Sequence, residues 1–204
     1  MTSLARWQST WRQLGAANSD GNLFDRLVVC YSEPHRKYHT MQHLKECFAL
    51  LENVAQFAEQ PGEVELALWF HDAIYNTHKK DNEKRSAEWA RDSALAAGLT
   101  TEQADRIFQL VMTTRHNAVP AGKDAEVLVD VDLGILGEDV ARFDEYEVQV
   151  REEYSWVPRF LYHKERRRIL QEFASRPFIY CTDYFRAHYE TQARDNIARS
   201  IARL

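Results

Sequence analysis

The chain has 204 residues, 45% of them hydrophobic, with 26 Lys and Arg against 31 Asp and Glu for a net charge of −5. That length suits one domain with a substantial core. The acidic balance argues against a nucleic-acid groove, which needs clustered positive charge, and no apolar run approaches the ~20 residues that cross a bilayer. The N-terminus, Met1 to Trp7, has no basic segment followed by an apolar core and cleavage site, so a cytoplasmic location is expected. Cys30, Cys47 and Cys181 are far apart and odd in number, which disfavours a disulfide framework and reads as reduced, mostly buried thiols.

Seven glycines, five prolines and an apolar pattern repeating at three and four predict an all-α, single-domain helical bundle spanning 1–204. In chain order, Leu4, Trp7, Trp11 and Leu14 mark a first helix ending near Gly15, and Leu23, Leu27 and Tyr31 a second ending before Pro34. Leu44, Phe48, Leu51, Val54 and Phe57 mark a long third. Gly62 introduces a fourth, nearly all apolar through Trp69 and Phe70, that runs straight into His71-Asp72 and is expected at the centre of the domain. A fifth follows Asp81-Asn82-Glu83 and closes at Gly98; a sixth, capped by Thr100 or Thr101, ends at Thr113-Thr114-Arg115-His116. Val127 to Leu133 carries strand-forming valines, but Asp130, Asp132 and the helical surroundings favour helix. Val140 to Tyr154, Pro158 to Ala174 and Phe185 to Leu204 complete the set; the last region, 138–204, reads as a C-terminal extension whose amphipathic helices offer a homodimer surface. The run Lys164-Glu165-Arg166-Arg167-Arg168 reads as a solvated helix face, and the five tryptophans, Trp156 included, as core.

The chemistry concentrates at His71-Asp72, where a neutral imidazole and an ionised carboxylate offer nitrogen and oxygen to a divalent metal. Neighbouring helical side chains diverge by ~100°, so both reach one ion only where the helix ends or other ligands close the cage. His43, at the start of the third helix, and Asp132, a carboxylate in an apolar segment that needs a cation or metal beside it, are the candidate partners. His39, four residues before His43, is placed on the same helix face as a substrate or supporting contact. Arg36 is a candidate phosphate fork, Lys37 and Lys80 add positive potential, His116 is a candidate substrate contact and His78 is expected at the surface. Asp130 is expected to face away from Asp132 and to orient a ligand or cap locally.

The ordered set His43, His71-Asp72, Asp132 resembles the HD-domain superfamily of metal-dependent phosphohydrolases. More closely, the segments Arg36 to His43, Trp69 to Tyr75, Asp81 to Ala87 and Asp130 to Gly137 look like a subfamily of predicted HD phosphohydrolases, over roughly the first two thirds of the chain. The resemblance implies that His43, His71, Asp72 and Asp132 hold a divalent ion, which can be Mn, Mg, Co, Zn, Fe or Ni. It implies hydrolysis of a small phosphate ester, nucleotides included, by a metal-activated water. Asp72 then serves both metal and water, and Glu83 is a proton-transferring carboxylate or, equally, a charge placed at a helix N-terminus. Two other readings stay open: a catalytically silent HD module that binds a ligand, and a dinuclear iron oxygenase of the HD type should His78 and His116 hold a second ion.

Overall fold

A computed structural model describes residues 3–16 and 21–204, so the first two residues and 17–20 lie outside it. Among the described residues there are eleven α-helices and no strand, the all-α class expected from the spacing of apolar positions. The chain forms two compact units, Met1–Val131 and Asp132–Leu204, with the second beginning a few residues before the extension that the sequence suggests.

In the first unit α1 (Leu4–Gln13) is capped by Ser3, whose hydroxyl accepts from the Arg6 N–H, and stops where Gly15 takes φ +77°. Helix α2 is Gly21–Cys30; α3, Met41–Val54, is capped by Thr40 and followed by a 3-10 turn over Ala55–Phe57. Helix α4, Pro61–Phe70, opens on its proline, where the missing N–H has no intrahelical partner to lose. Its apolar residues do not segregate to one side, and Val64, Leu66, Leu68, Trp69 and Phe70 are all fully buried. Each such side chain is worth about 1.5–3 kcal/mol of burial, so α4 sits at the centre of its unit. The one carboxylate buried with them, Glu63, takes two hydrogen bonds from Arg106 of α6, at 2.9 and 2.6 Å. Trp69 meets Trp7 edge to face at 5.4 Å and Phe48 at 4.7 Å.

Helix α5 is Asn82–Ala96, with Gly98 at φ +88° just beyond it, and α6 is Thr101–Thr113. Thr100 caps α6: its hydroxyl accepts from the Gln103 backbone N–H, and the Gln103 side-chain oxygen accepts from the Thr100 backbone N–H. The valine-rich segment is helical, as α7, Lys123–Asp132.

The second unit contains a 3-10 turn, Leu133–Gly137, then α8 (Val140–Glu153), α9 (Arg159–Ser175), α10 (Asp183–His188) and α11 (Glu190–Arg203). The sequence suggests one helix from Phe185 to Leu204; the structure breaks it at Tyr189. That break packs on Gly137, where a Cβ would come within 2.7 Å of Tyr189 Cβ and 2.8 Å of its carbonyl oxygen. Two further expectations change. Arg166, from the basic run, is buried and bonds the Tyr146 hydroxyl at 2.9 Å and Glu147, because its place on α9 faces α8 rather than solvent. Trp156 is 51% exposed, since α8 stops at Glu153 and leaves it in the following turn, off the helical stripe.

Candidate metal centre

His71 is the C-cap of α4, and Asp72 follows in the turn. Ending the helix here lets two adjacent side chains reach one place, which a continuing helix would prevent. The turn is held by hydrogen bonds from both flanks. Arg36 donates from Nη1 to the Asp72 carbonyl (2.5 Å), from Nη2 to the Ala73 carbonyl (3.0 Å), and from Nε to Glu33 (2.9 Å). The Ser86 hydroxyl of α5 accepts the Ile74 N–H at 3.0 Å. Asn82 accepts from the Asn76 N–H and donates to its carbonyl, at 3.1 and 2.9 Å. The Tyr31 hydroxyl donates to the Trp69 carbonyl at 3.2 Å.

Inside this frame His71 Nδ1 lies 2.8 Å from the Leu68 carbonyl oxygen. A carbonyl only accepts, so Nδ1 carries a proton and Nε2 is the nitrogen turned towards the site. That Nε2 lies 3.1 Å from His43 Nε2 and 3.0 Å from Asp72 Oδ2; His43 Nε2 is 3.7 Å from the same oxygen. Asp72 Oδ2 is buried and receives no aligned hydrogen bond. Burial pushes the Asp72 carboxyl up, but the charges of His71 and His39, the close contact with His71 and the charge of His43 outweigh it. The net position is well below the usual carboxylate range.

His43, Cys47, His71 and Asp132 each bring one ligand atom to a group whose atoms lie within 4.8 Å of one another. His43 and Cys47 come from α3, His71 from the end of α4, and Asp132 is the last residue of α7. His43, Cys47 and His71 are buried and Asp132 is half-buried. The donor set suits a divalent ion: two imidazoles and a carboxylate, with a thiol beside them. His71 Nε2 and Asp72 Oδ2, 3.0 Å apart, are at the spacing of an ion pair when the ring is protonated and of two ligands of one cation when it is not. A metal centre with nitrogen ligands at about 2.0–2.1 Å has ligand edges of roughly 3.3 Å, close to the spacings found.

The remaining site candidates fall in different places. Arg36 is buried with each guanidinium nitrogen donating to the protein, so it positions the Asp72 turn and does not present a free phosphate fork. His39 precedes the Thr40 cap and is therefore not on the His43 helix; its ring stacks on Tyr75 at 4.1 Å and reaches within 6.0 Å of His43 through the turn. Glu83 lies in the first turn of α5, 3.7 Å from Arg115. His116 is half-buried after α6 with φ 53°, an uncommon left-handed conformation for a non-glycine residue. His78, Lys37 and Lys80 are exposed. Neither His78 nor His116 belongs to the metal-capable group, and Asp130 is fully buried within α7.

Cys47 is the residue that the sequence reading leaves among the packing thiols. Its signal is the His43-x-x-x-Cys47 spacing, which puts both side chains on one face of α3. Cys30 and Cys181 are half-buried cysteines outside the group. No helix among the described residues is long and apolar enough to cross a membrane. No family model matches the chain, and neither the curated proteins nor the solved structures compared with it contain a match.

Proposed function

We propose that the chain is a metal-dependent phosphohydrolase of the HD type that cleaves a small phosphate ester, nucleotides included. The observation that carries this reading is the convergence of His43, His71 and Asp132, from α3, the end of α4 and the end of α7, on a group whose ligand atoms lie within 4.8 Å of one another, with Asp72 Oδ2 3.0 Å from His71 Nε2 and 3.7 Å from His43 Nε2. The four motifs that resemble HD phosphohydrolases lend the reaction class. An ion held by these residues supplies Lewis acidity toward a phosphoryl oxygen and lowers the pKa of a water.

Around it the chain's own groups have separable tasks. The Leu68 carbonyl fixes the His71 tautomer so that Nε2 stays a donor to the ion. Asp72, 3.0 Å from His71 Nε2, is placed to hold the ion and to orient the attacking water by a hydrogen bond. Arg36 sets the height of the Asp72 backbone through two carbonyl bonds. His39 and His116 are the proposed substrate contacts, and Glu83, paired with Arg115, passes a proton outward.

A panel of nucleotides, sugar phosphates and pyrophosphate-bearing metabolites, assayed with each of several divalent ions, tests the reaction. The proposal expects phosphate release that needs a metal, stops with chelator and falls steeply in Asp72→Ala. Release that continues unchanged in Asp72→Ala sinks the mechanism.

A further inference from the structure

Asp132 ends α7, and the chain passes there directly into the 3-10 turn Leu133–Gly137. The change of pitch, from ~3.6 to ~3.0 residues per turn, leaves carbonyls at the helix end without their usual donors. All five residues of the turn are buried, so those carbonyls need partners from elsewhere in the protein. Two side chains of the second unit supply them. The Tyr180 hydroxyl donates to the Leu133 carbonyl at 3.1 Å, and Asn196 Nδ2 of α11 donates to the Leu136 and Glu138 carbonyls at 2.9 and 2.8 Å. Both partners of Asn196 are carbonyls, so its amide nitrogen must face them, and its oxygen accepts from Gln192 at 3.0 Å.

Both clamps are themselves fixed. Tyr180 and Asn196 are 1% and 0% exposed. Glu190 accepts the Ile179 and Tyr180 backbone N–H groups at 3.0 and 3.2 Å, Arg186 donates to the Tyr180 carbonyl at 2.9 Å, and the Tyr180 ring packs on Phe185 at 5.3 Å. Gly137 admits this approach, since a Cβ there would meet the Tyr180 hydroxyl at 2.9 Å. Buried donors of this kind ordinarily do no more than satisfy buried carbonyls. What singles these out is their target. The Leu133 carbonyl belongs to the residue directly after Asp132, and Asp132 brings its carboxylate to the group with His43 and His71. A ligand at the junction of two helical forms moves with the turn behind it.

We infer that Tyr180 and Asn196 are positioning residues for Asp132: they lock the turn that leaves α7 and so hold the Asp132 carboxylate where the ion binds. The inference rests on the metal centre proposed above and gives region 138–204, which carries none of the four motifs, a task in that centre. Neither side chain belongs to the metal-capable group, so both act through the backbone of the turn. The physical reason is preorganisation. A ligand held in place before the ion arrives loses little freedom on binding, whereas one on a loosened turn must be ordered at the cost of affinity.

Metal affinity measured beside stability separates positioning from simple support. The full chain, stripped with chelator and titrated with zinc against a fluorescent competing chelator, gives a dissociation constant, and urea unfolding of the same samples gives stability. Tyr180→Phe removes one oxygen and Asn196→Leu removes both donors to the turn. Each should weaken zinc binding by roughly 10–100-fold and alter the visible ligand-field bands of the cobalt(II)-loaded chain. Arg166→Met, whose bonds in the parent go to Tyr146 and Glu147, destabilises the same unit and should leave both readouts at the parent's values. Where Asn196→Leu fails to fold, Tyr180→Phe decides. Variants that lose stability but keep the parent's zinc affinity and cobalt spectrum overturn the inference and leave the metal centre standing. So does an Arg166→Met chain that binds zinc as weakly as Tyr180→Phe. A parent chain that binds no zinc removes the centre and this inference together.

Discussion

Each compact unit buries a polar cluster, and the two are built on opposite logic. In the second unit Arg166 of α9 bonds Glu147 and the Tyr146 hydroxyl, while the Ser200 hydroxyl donates to the other oxygen of Glu147. Donors there face acceptors, so the cluster is complete as it stands. In the first unit two imidazoles and a carboxylate crowd together: His71 Nε2 lies 3.0 Å from Asp72 Oδ2 and 3.1 Å from His43 Nε2, and Asp72 Oδ2 has no aligned hydrogen bond. Such a cluster needs positive charge, whether a proton on an imidazole or a cation. The second unit's polar cluster is closed by its own donors, and that of the first suits a cation.

The largest effect expected from breaking this contrast is at Asp72. Asp72→Ala should lower metal-dependent phosphoester turnover by roughly 10²–10⁴-fold with helical content retained in circular dichroism. Next is Arg36→Met, which leaves the Asp72 and Ala73 carbonyls without their donor. It should cost about 3 kcal/mol in urea unfolding and weaken metal retention, since the turn carrying Asp72 loosens. Arg166→Met sharpens the comparison from the other side. It should destabilise by about 2 kcal/mol, and metal retained per chain in dialysis should not change. The smallest effect belongs to Asp144 of α8, paired with Arg199 and Arg203 at 2.8 and 3.1 Å. Partial burial pushes its carboxyl up, but hydrogen bonds and charge from the two arginines outweigh this and hold it below the usual range. A carboxyl lowered on folding contributes stability above its unfolded pKa and loses it as pH falls through the folded value. Asp144→Asn should thus lower Tm slightly at neutral pH, by the equivalent of at most about 1 kcal/mol for an exposed pair, and match the parent chain in acid.

What the sequence makes legible is what local physics controls. Apolar spacing places α1, α3, α4 and α6; Thr100 and Gly98 mark helix ends through capping and backbone handedness. The nearly unbroken apolar run of α4 announces a buried helix delivering His71 and Asp72. What stays hidden depends on contacts distant in sequence. Arg36 reads as a free cation until the carbonyls of Asp72 and Ala73 are seen against it. The helix break at Tyr189 packs on Gly137, a contact no spacing rule encodes. His39 leaves the His43 helix because Thr40 takes the cap. Cys47 is intermediate: its helical offset from His43 is visible, but a buried cysteine at that offset is usually packing, and only the folded chain sets it beside the donors of α4 and α7.

Metal retention tests the central claim most directly. The full chain, saturated with zinc or cobalt(II) and then dialysed exhaustively without chelator, should retain equimolar metal by elemental analysis, and His71→Ala, which removes the imidazole nearest Asp72 Oδ2, should lose it. A parent chain that emerges metal-free, or a His71→Ala chain that retains as much as the parent, contradicts the account.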